Sequence, residues 1–161
     1  MKVIFLDVDG VLNCLTTTET INGWVFVDDD KIKLVRYIMD KTGAVVVLSS
    51  TWRQGYYGIN QKNPGDTSDW GIEEYEALKE RCEKYGVRFF GYTAWPLSDD
   101  RERLIKDWMD EWDGEKIESF VILDDWPFFK DLADHFVWTK ERVGLTKDDA
   151  YEAIRILGGK T

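Results

Sequence analysis

Two aspartates stand two residues apart at the end of a short apolar run, Asp7 and Asp9 in the segment Leu6-Asp7-Val8-Asp9-Gly10-Val11. At the exit of a β-strand such a pair can divide a phosphoryl transfer between them. Asp7 can attack phosphorus and carry the group as an aspartyl-phosphate. Asp9, returned to the same side by the turn, can protonate the leaving oxygen. Gly10 permits the tight turn between them. Without a phosphate in view, the same segment reads as an acidic turn at a strand end.

A second apolar run ends in Leu48-Ser49-Ser50-Thr51-Trp52-Arg53. Ser49 follows the run directly. Its hydroxyl, with Ser50 beside it and the amides of the next turn, is the candidate for holding a phosphate oxygen. Helix capping by one of these hydroxyls is the plainer reading of the segment taken alone. Arg53 adds a guanidinium that suits either the substrate or a surface carboxylate. A third run ends in Asp124-Asp125. Adjacent carboxylates after so apolar a stretch call for a compensating charge. Magnesium, a hard cation that prefers carboxylate oxygen, fits that need. It would bridge Asp7, a backbone carbonyl near Asp9, and Asp124, and support an in-line displacement. Arg101, Arg103 and Lys106, in the segment before this run, are candidates for a cation facing the transferring group. Three basic residues on an exposed helix also read simply as a solvated face.

These groups converge only if strands and helices alternate so as to bring the ends of separate runs together. The pattern predicts strands at Val3–Leu6, Ala44–Leu48, Val87–Tyr92, Phe120–Leu123 and Phe136–Trp138. It predicts helices at Asp28–Thr42, Ile72–Tyr85, Asp100–Trp112 and Thr146–Leu157, with a short one around Phe128–Asp134. In the first helix Ile32, Val35, Ile38 and Met39 recur at helical spacing and Gly43 stops it. Ala44–Leu48 is β-branched and continuously apolar, as a parallel strand covered on both faces should be. Trp52–Trp70, with four glycines or prolines, reads as a long loop. The expected architecture is α/β: a doubly wound, Rossmann-like, mostly parallel five-stranded sheet with helices on both faces. A single domain over residues 1–161 accommodates it. Ligands in such folds bind at the carboxyl ends of the strands, near the point where strand order reverses.

Composition narrows the function classes. Lys plus Arg is 21 and Asp plus Glu is 31, a net charge of -10. That balance repels nucleic acid at long range unless basic groups cluster locally. Two cysteines and one histidine make a disulfide framework, a Cys-rich zinc site or a Ser-His-Asp site poor readings. No apolar run approaches the roughly 18 residues of a membrane-spanning helix. The N-terminus opens on a predicted strand rather than a signal peptide. The expected setting is cytoplasmic, with no membrane partner. The eight tryptophans read as packing residues.

Together the segments resemble the haloacid dehalogenase superfamily of phosphatases. The resemblance runs from Lys2 to about Leu157 and rests on Leu6–Asn13, Leu48–Arg53 and Val121–Asp125. More narrowly the chain is similar to small members that include phosphatase domains found alongside nucleic-acid end-repair enzymes. The resemblance implies Asp7 as nucleophile, Asp9 as general acid and base, and Ser49 as phosphate ligand. It implies a magnesium site completed by Asp124 and Asp125, with Asp124 the direct ligand. It also picks out Arg101, which stands four residues before the Ile of an Ile-x-x-Trp segment (Ile105 to Trp108) where many members have lysine. Large relatives carry a cap domain. Here only Asn13–Val27 and Trp52–Trp70 are spare, so the expected site is open, with loop lids at most. The expected substrate is a nucleotide, a sugar phosphate or a polynucleotide end. A phosphoacceptor signalling domain of the response-regulator type, and a non-catalytic phospho-ligand binding module, are the competing readings.

Overall fold

The computed structural model describes residues 1–58, 71–94 and 100–160. Five strands form one parallel sheet in the order β5-β4-β1-β6-β7: β1 Lys2–Leu6, β4 Val45–Leu48, β5 Phe89–Tyr92, β6 Ser119–Asp124 and β7 Phe136–Trp138. From β1 the chain moves outward to β4 and β5, then crosses back to β6 on the other side of β1. Strand order therefore reverses at β1, as the expected architecture requires.

The apolar runs are continuous because both faces of the sheet are covered. Side chains alternate across a strand. Ile4, Leu6, Val46, Leu48, Val121 and Leu123 enter one core with residues of α1 (Asp29–Thr42), α3 (Ile72–Lys84) and α5 (Lys147–Ile156). Val3, Phe5, Val47 and Ile122 enter a second core with Ile105 of α4 (Arg101–Glu111), backed by Trp108 and Met109. Burial of one such Leu or Ile contributes about 1.5–3 kcal/mol, so these strands hold their register firmly.

Helix ends follow their local chemistry. Gly43 closes α1 with φ of 71°, its N–H donating to the Met39 carbonyl at 2.8 Å. Asp100 lies just outside α4 and caps it, accepting from the Arg103 N–H at 3.0 Å. Thr146 and Asp149 form a reciprocal cap on α5.

Three elements differ from expectation. The segment Asn13–Val27 carries a hairpin, β2 Thr20–Ile21 against β3 Trp24–Val25. Its turn is Asn22-Gly23, with φ of 48° and 82°. Asn-Gly is the strongest short signal for such a turn. The predicted loop Trp52–Trp70 opens instead in a 3-10 turn, Thr51–Arg53, and a one-turn helix, α2 Gln54–Tyr57; residues 59–70 of it lie outside the described residues. The short helix around Phe128–Asp134 reduces to a 3-10 turn at Ala133–His135. Glu102 Oε1 accepts the backbone N–H groups of Lys130 and Leu132 at 3.0 and 2.8 Å, so a side chain satisfies donors that a helix would have used. No cap domain is present among the described residues, and none of their helices is long and apolar enough to cross a membrane.

Candidate active site

Register brings the predicted residues together. Leu6 pairs with Leu48 on one side and Leu123 on the other, so the residues that follow, Asp7, Ser49 and Asp124, emerge in one row. Backbone hydrogen bonds continue past the strands. The Asp7 N–H donates to the Leu123 carbonyl at 3.0 Å, Ser49 N–H to Leu6 at 2.9 Å, and Thr139 N–H to Asp124 at 3.0 Å.

Asp7, Asp124 and Asp125 each offer a carboxylate oxygen within 4.8 Å of the others'. Asp7 and Asp124 are buried, and Asp125 is half-buried. Arg101 answers part of this charge. Its Nη1 donates to Asp7 Oδ2 at 2.8 Å and to Asp124 Oδ1 at 2.7 Å. Asp124 Oδ1 also accepts the Trp126 N–H at 2.8 Å. Burial, then the neighbouring Asp7, push the Asp124 carboxyl well above the usual range despite Arg101. Asp125 is raised by the same two causes in the same order. The guanidinium of Arg101 is held charged by Asp7 and Asp124 against a burial penalty. Of the three basic candidates in this segment, Arg101 is the one that contacts Asp7 and Asp124. Arg103 pairs with Asp107 at 3.6 Å on the exposed face, and Lys106 with Asp131 at 2.5 Å.

The donor set fits a divalent cation. Three carboxylates face one guanidinium, which leaves excess negative charge in a largely buried place. Asp124 Oδ2 is buried and has no hydrogen-bond partner among the described residues. An orphaned carboxylate oxygen beside two others is what a hard cation completes. The Asp9 side chain is not part of this group.

Asp9 is held differently. Its Oδ1 accepts from Asn13 Nδ2 at 2.9 Å and its Oδ2 from Trp52 Nε1 at 3.0 Å. Loss of water raises the carboxyl, while these two hydrogen bonds pull it down. Gly10 is required here: its φ is 76°, and a Cβ would collide with the Asp125 carboxylate. The turn is pinned by Asn13 Oδ1 on the Gly10 N–H at 2.9 Å and by Thr139 Oγ1 donating to the Gly10 carbonyl at 2.8 Å.

The two serines divide. Ser50 caps the 3-10 turn, its Oγ accepting from the Trp52 N–H at 3.3 Å. Ser49 Oγ is buried and has no hydrogen-bond partner among the described residues. Arg53 is buried, and donates to the carbonyls of Ser49 (2.9 Å), Ser50 (2.6 Å), Thr93 (3.0 Å) and Ala94 (3.0 Å). These contacts tie the turn after β4 to the end of β5.

Sequence reasoning missed Asn13, Trp52 and Thr139. Asn13 carried a faint signal, a polar residue four after Asp9 next to Val11 and Leu12. Trp52 and Thr139 carried none, because their roles depend on where loops run. Beside Asp9 opens a cleft of about 470 Å³, with Trp52 and Asp125 in its wall.

A family model described as the HAD domain in Swiss Army Knife RNA repair proteins matches residues 3–150. No curated protein and no solved structure matches the chain significantly.

Proposed function

The chain belongs to the family of HAD domains of Swiss Army Knife RNA repair proteins, a phosphatase-type hydrolase family that acts on phosphorylated substrates, and from that premise we propose a magnesium-dependent phosphomonoester hydrolase with Asp7 as its nucleophile. The observation that carries the reading is the convergence of Asp7, Asp124 and Asp125 within 4.8 Å, with Arg101 between two of them.

Asp7 attacks the phosphorus, and the bond from phosphorus to the substrate's ester oxygen breaks. Asp9 gives that oxygen a proton, so the alcohol leaves neutral and the phosphoryl group stays on Asp7. Asp9, now a carboxylate, takes a proton from water. The oxygen of that water attacks phosphorus, and the bond to Asp7 breaks, releasing inorganic phosphate. Arg101 and the Ser49 hydroxyl offer donors to phosphoryl oxygens throughout. Asp7, Asp124 and Asp125 would hold a magnesium ion, which when bound supplies counter-charge to the phosphoryl group. The family's name makes polynucleotide ends a natural class to test beside nucleotides and sugar phosphates.

The test is turnover of 4-nitrophenyl phosphate with magnesium and with a chelator. Asp7→Asn should lower kcat/KM at least about 10⁴-fold, as loss of a nucleophile does. Metal-independent turnover, or turnover that survives in Asp7→Asn, would overturn the assignment. A stable stoichiometric phosphoprotein would favour the phosphoacceptor reading instead.

A further inference from the structure

Arg101 is anchored at its tip by two carboxylates, Nη1 donating to Asp7 Oδ2 and to Asp124 Oδ1. One of these anchors changes in the reaction proposed above. Asp7 gives up its negative charge when it takes the phosphoryl group, so its pull on the guanidinium falls at the moment Arg101 is needed. An anchor that the chemistry leaves untouched keeps Arg101 in place through that change. The Trp126 ring is such an anchor, its centre 5.5 Å from Arg101 Cζ. An indole at that distance attracts a cation through the charge distribution of its face. Resting on the reading of Arg101 as the cation that meets the phosphoryl group, we infer that Trp126 is a positioning residue, whose indole holds the Arg101 guanidinium against Asp7 and Asp124.

The sequence aims this ring. Trp126 follows Asp124-Asp125 where β6 ends, and Pro127 behind it disfavours helical backbone at Trp126. The Trp126 N–H donates to Asp124 Oδ1 at 2.8 Å, the same oxygen that accepts from Arg101 Nη1 at 2.7 Å. One residue therefore acts on both members of the ion pair. Its amide orients the Asp124 carboxylate, and its ring meets the guanidinium that the carboxylate binds. Phe128 packs edge-on against the indole, ring centroids 5.2 Å apart at 70°, which limits where the indole can swing. The Trp126 residue stays 41 % exposed, whereas the Arg101 side chain is only 23 % exposed. A ring this open contributes less to folding than a buried one, so its removal reports mainly on Arg101.

The experiment is a double-mutant cycle on the whole protein. Trp126→Leu keeps an apolar side chain and the backbone N–H but deletes the aromatic face. It should lower kcat on 4-nitrophenyl phosphate about tenfold, the worth of a partly desolvated cation–π contact, with KM little changed. Trp126→Phe, which keeps a face, should recover most of that loss. Thermal melts read the same contact without turnover. Trp126→Leu should lower Tm by about 2–4 °C more in the wild type than in Arg101→Met, the difference being the coupling of ring and guanidinium. Equal Tm losses in the two backgrounds, a Trp126→Phe no better than Trp126→Leu, or a rise in KM with kcat unchanged would overturn the inference. A wild type without turnover on any phosphomonoester would remove the phosphatase reading instead, and the Tm cycle would then support or overturn the contact by itself.

Discussion

The two halves of the candidate site are held by different physics. Asp7, Ser49 and Asp124 leave the ends of strands whose neighbours continue to hydrogen-bond beside them. Their positions follow from sheet register, and shifting one means breaking the ladder. Asp9 lies past the sheet, on a turn, and its carboxylate is aimed by side chains from Asn13 and Trp52. The strand-end half is dry and crowded with like charge; the turn half opens on the cleft. A nucleophile and its counter-charges gain from rigidity and exclusion of water. A group that hands a proton out and takes one back gains from access to the leaving group and to water.

The largest effect should come from the dry half. Arg101→Met removes the one cation among the described residues that touches both Asp7 and Asp124. Loss of an arginine facing a transferring phosphoryl group costs about 10³–10⁵ in kcat. The same change leaves buried carboxylates without a partner, so the variant should also melt lower, and added magnesium should raise its Tm more than it raises that of the wild type. Equal metal-induced shifts in the two proteins would mean that Arg101 and the ion do not share one cluster of charge.

Next in size is Asp9→Asn. It should lower kcat about 10²–10⁴-fold, the usual worth of a positioned acid and base. Magnesium affinity, read by calorimetry, should barely change, because the Asp9 side chain lies outside the three-carboxylate group. Loss of the metal in this variant would merge the two halves that the geometry separates. Trp52→Phe is a milder probe of the same half. It keeps most of the packing on Phe26 but deletes the N–H donated to Asp9. A fall in kcat of about tenfold, with a displaced pH profile and little change in KM for 4-nitrophenyl phosphate, is the signature of a positioning residue. A pure rise in KM would make Trp52 a substrate contact only.

The same division decides what could be read from the sequence. Strand-end residues were legible because an apolar run stops abruptly at them, and because parallel pairing puts the ends of neighbouring runs in one row. Arg101 could be singled out only through the family resemblance, since nothing in its spacing separates it from Arg103 or Lys106. The contacts of Arg53 were not legible, because no local pattern reveals that four backbone carbonyls would turn toward it. Polar groups from separate loops meet through the path of the chain, and period or propensity carries no record of that path. The hairpin is the exception: Asn22-Gly23 was in plain view, but strands of two residues are too short to show alternation.

The smallest effect concerns how the hairpin is anchored. Arg81 of α3 pairs with Glu19, just before β2, at 2.5 Å and with Asp29 of α1 at 3.0 Å. Its guanidinium also lies 5.1 Å from the ring centre of Phe26, which touches Trp52. The hydrogen bond from Arg81 holds the Glu19 carboxyl below its ordinary 4.5. Tyr85 first, and then Arg81, hold Asp29 below 3.8. A carboxylate whose folded value is depressed adds stability that is fully present above its ordinary value and fades as pH falls through the folded one. Arg81→Gln should therefore lower Tm at pH 7 and make no difference once acid has protonated both partners. All three side chains are partly open to water, so the contribution is under about 1 kcal/mol, or about 2–4 °C at this chain length. Thermal melts of the two proteins from neutral pH into acid should converge below the ordinary carboxylate range. A constant gap across that range would mean that Arg81 anchors the hairpin by packing on Phe26 rather than by charge.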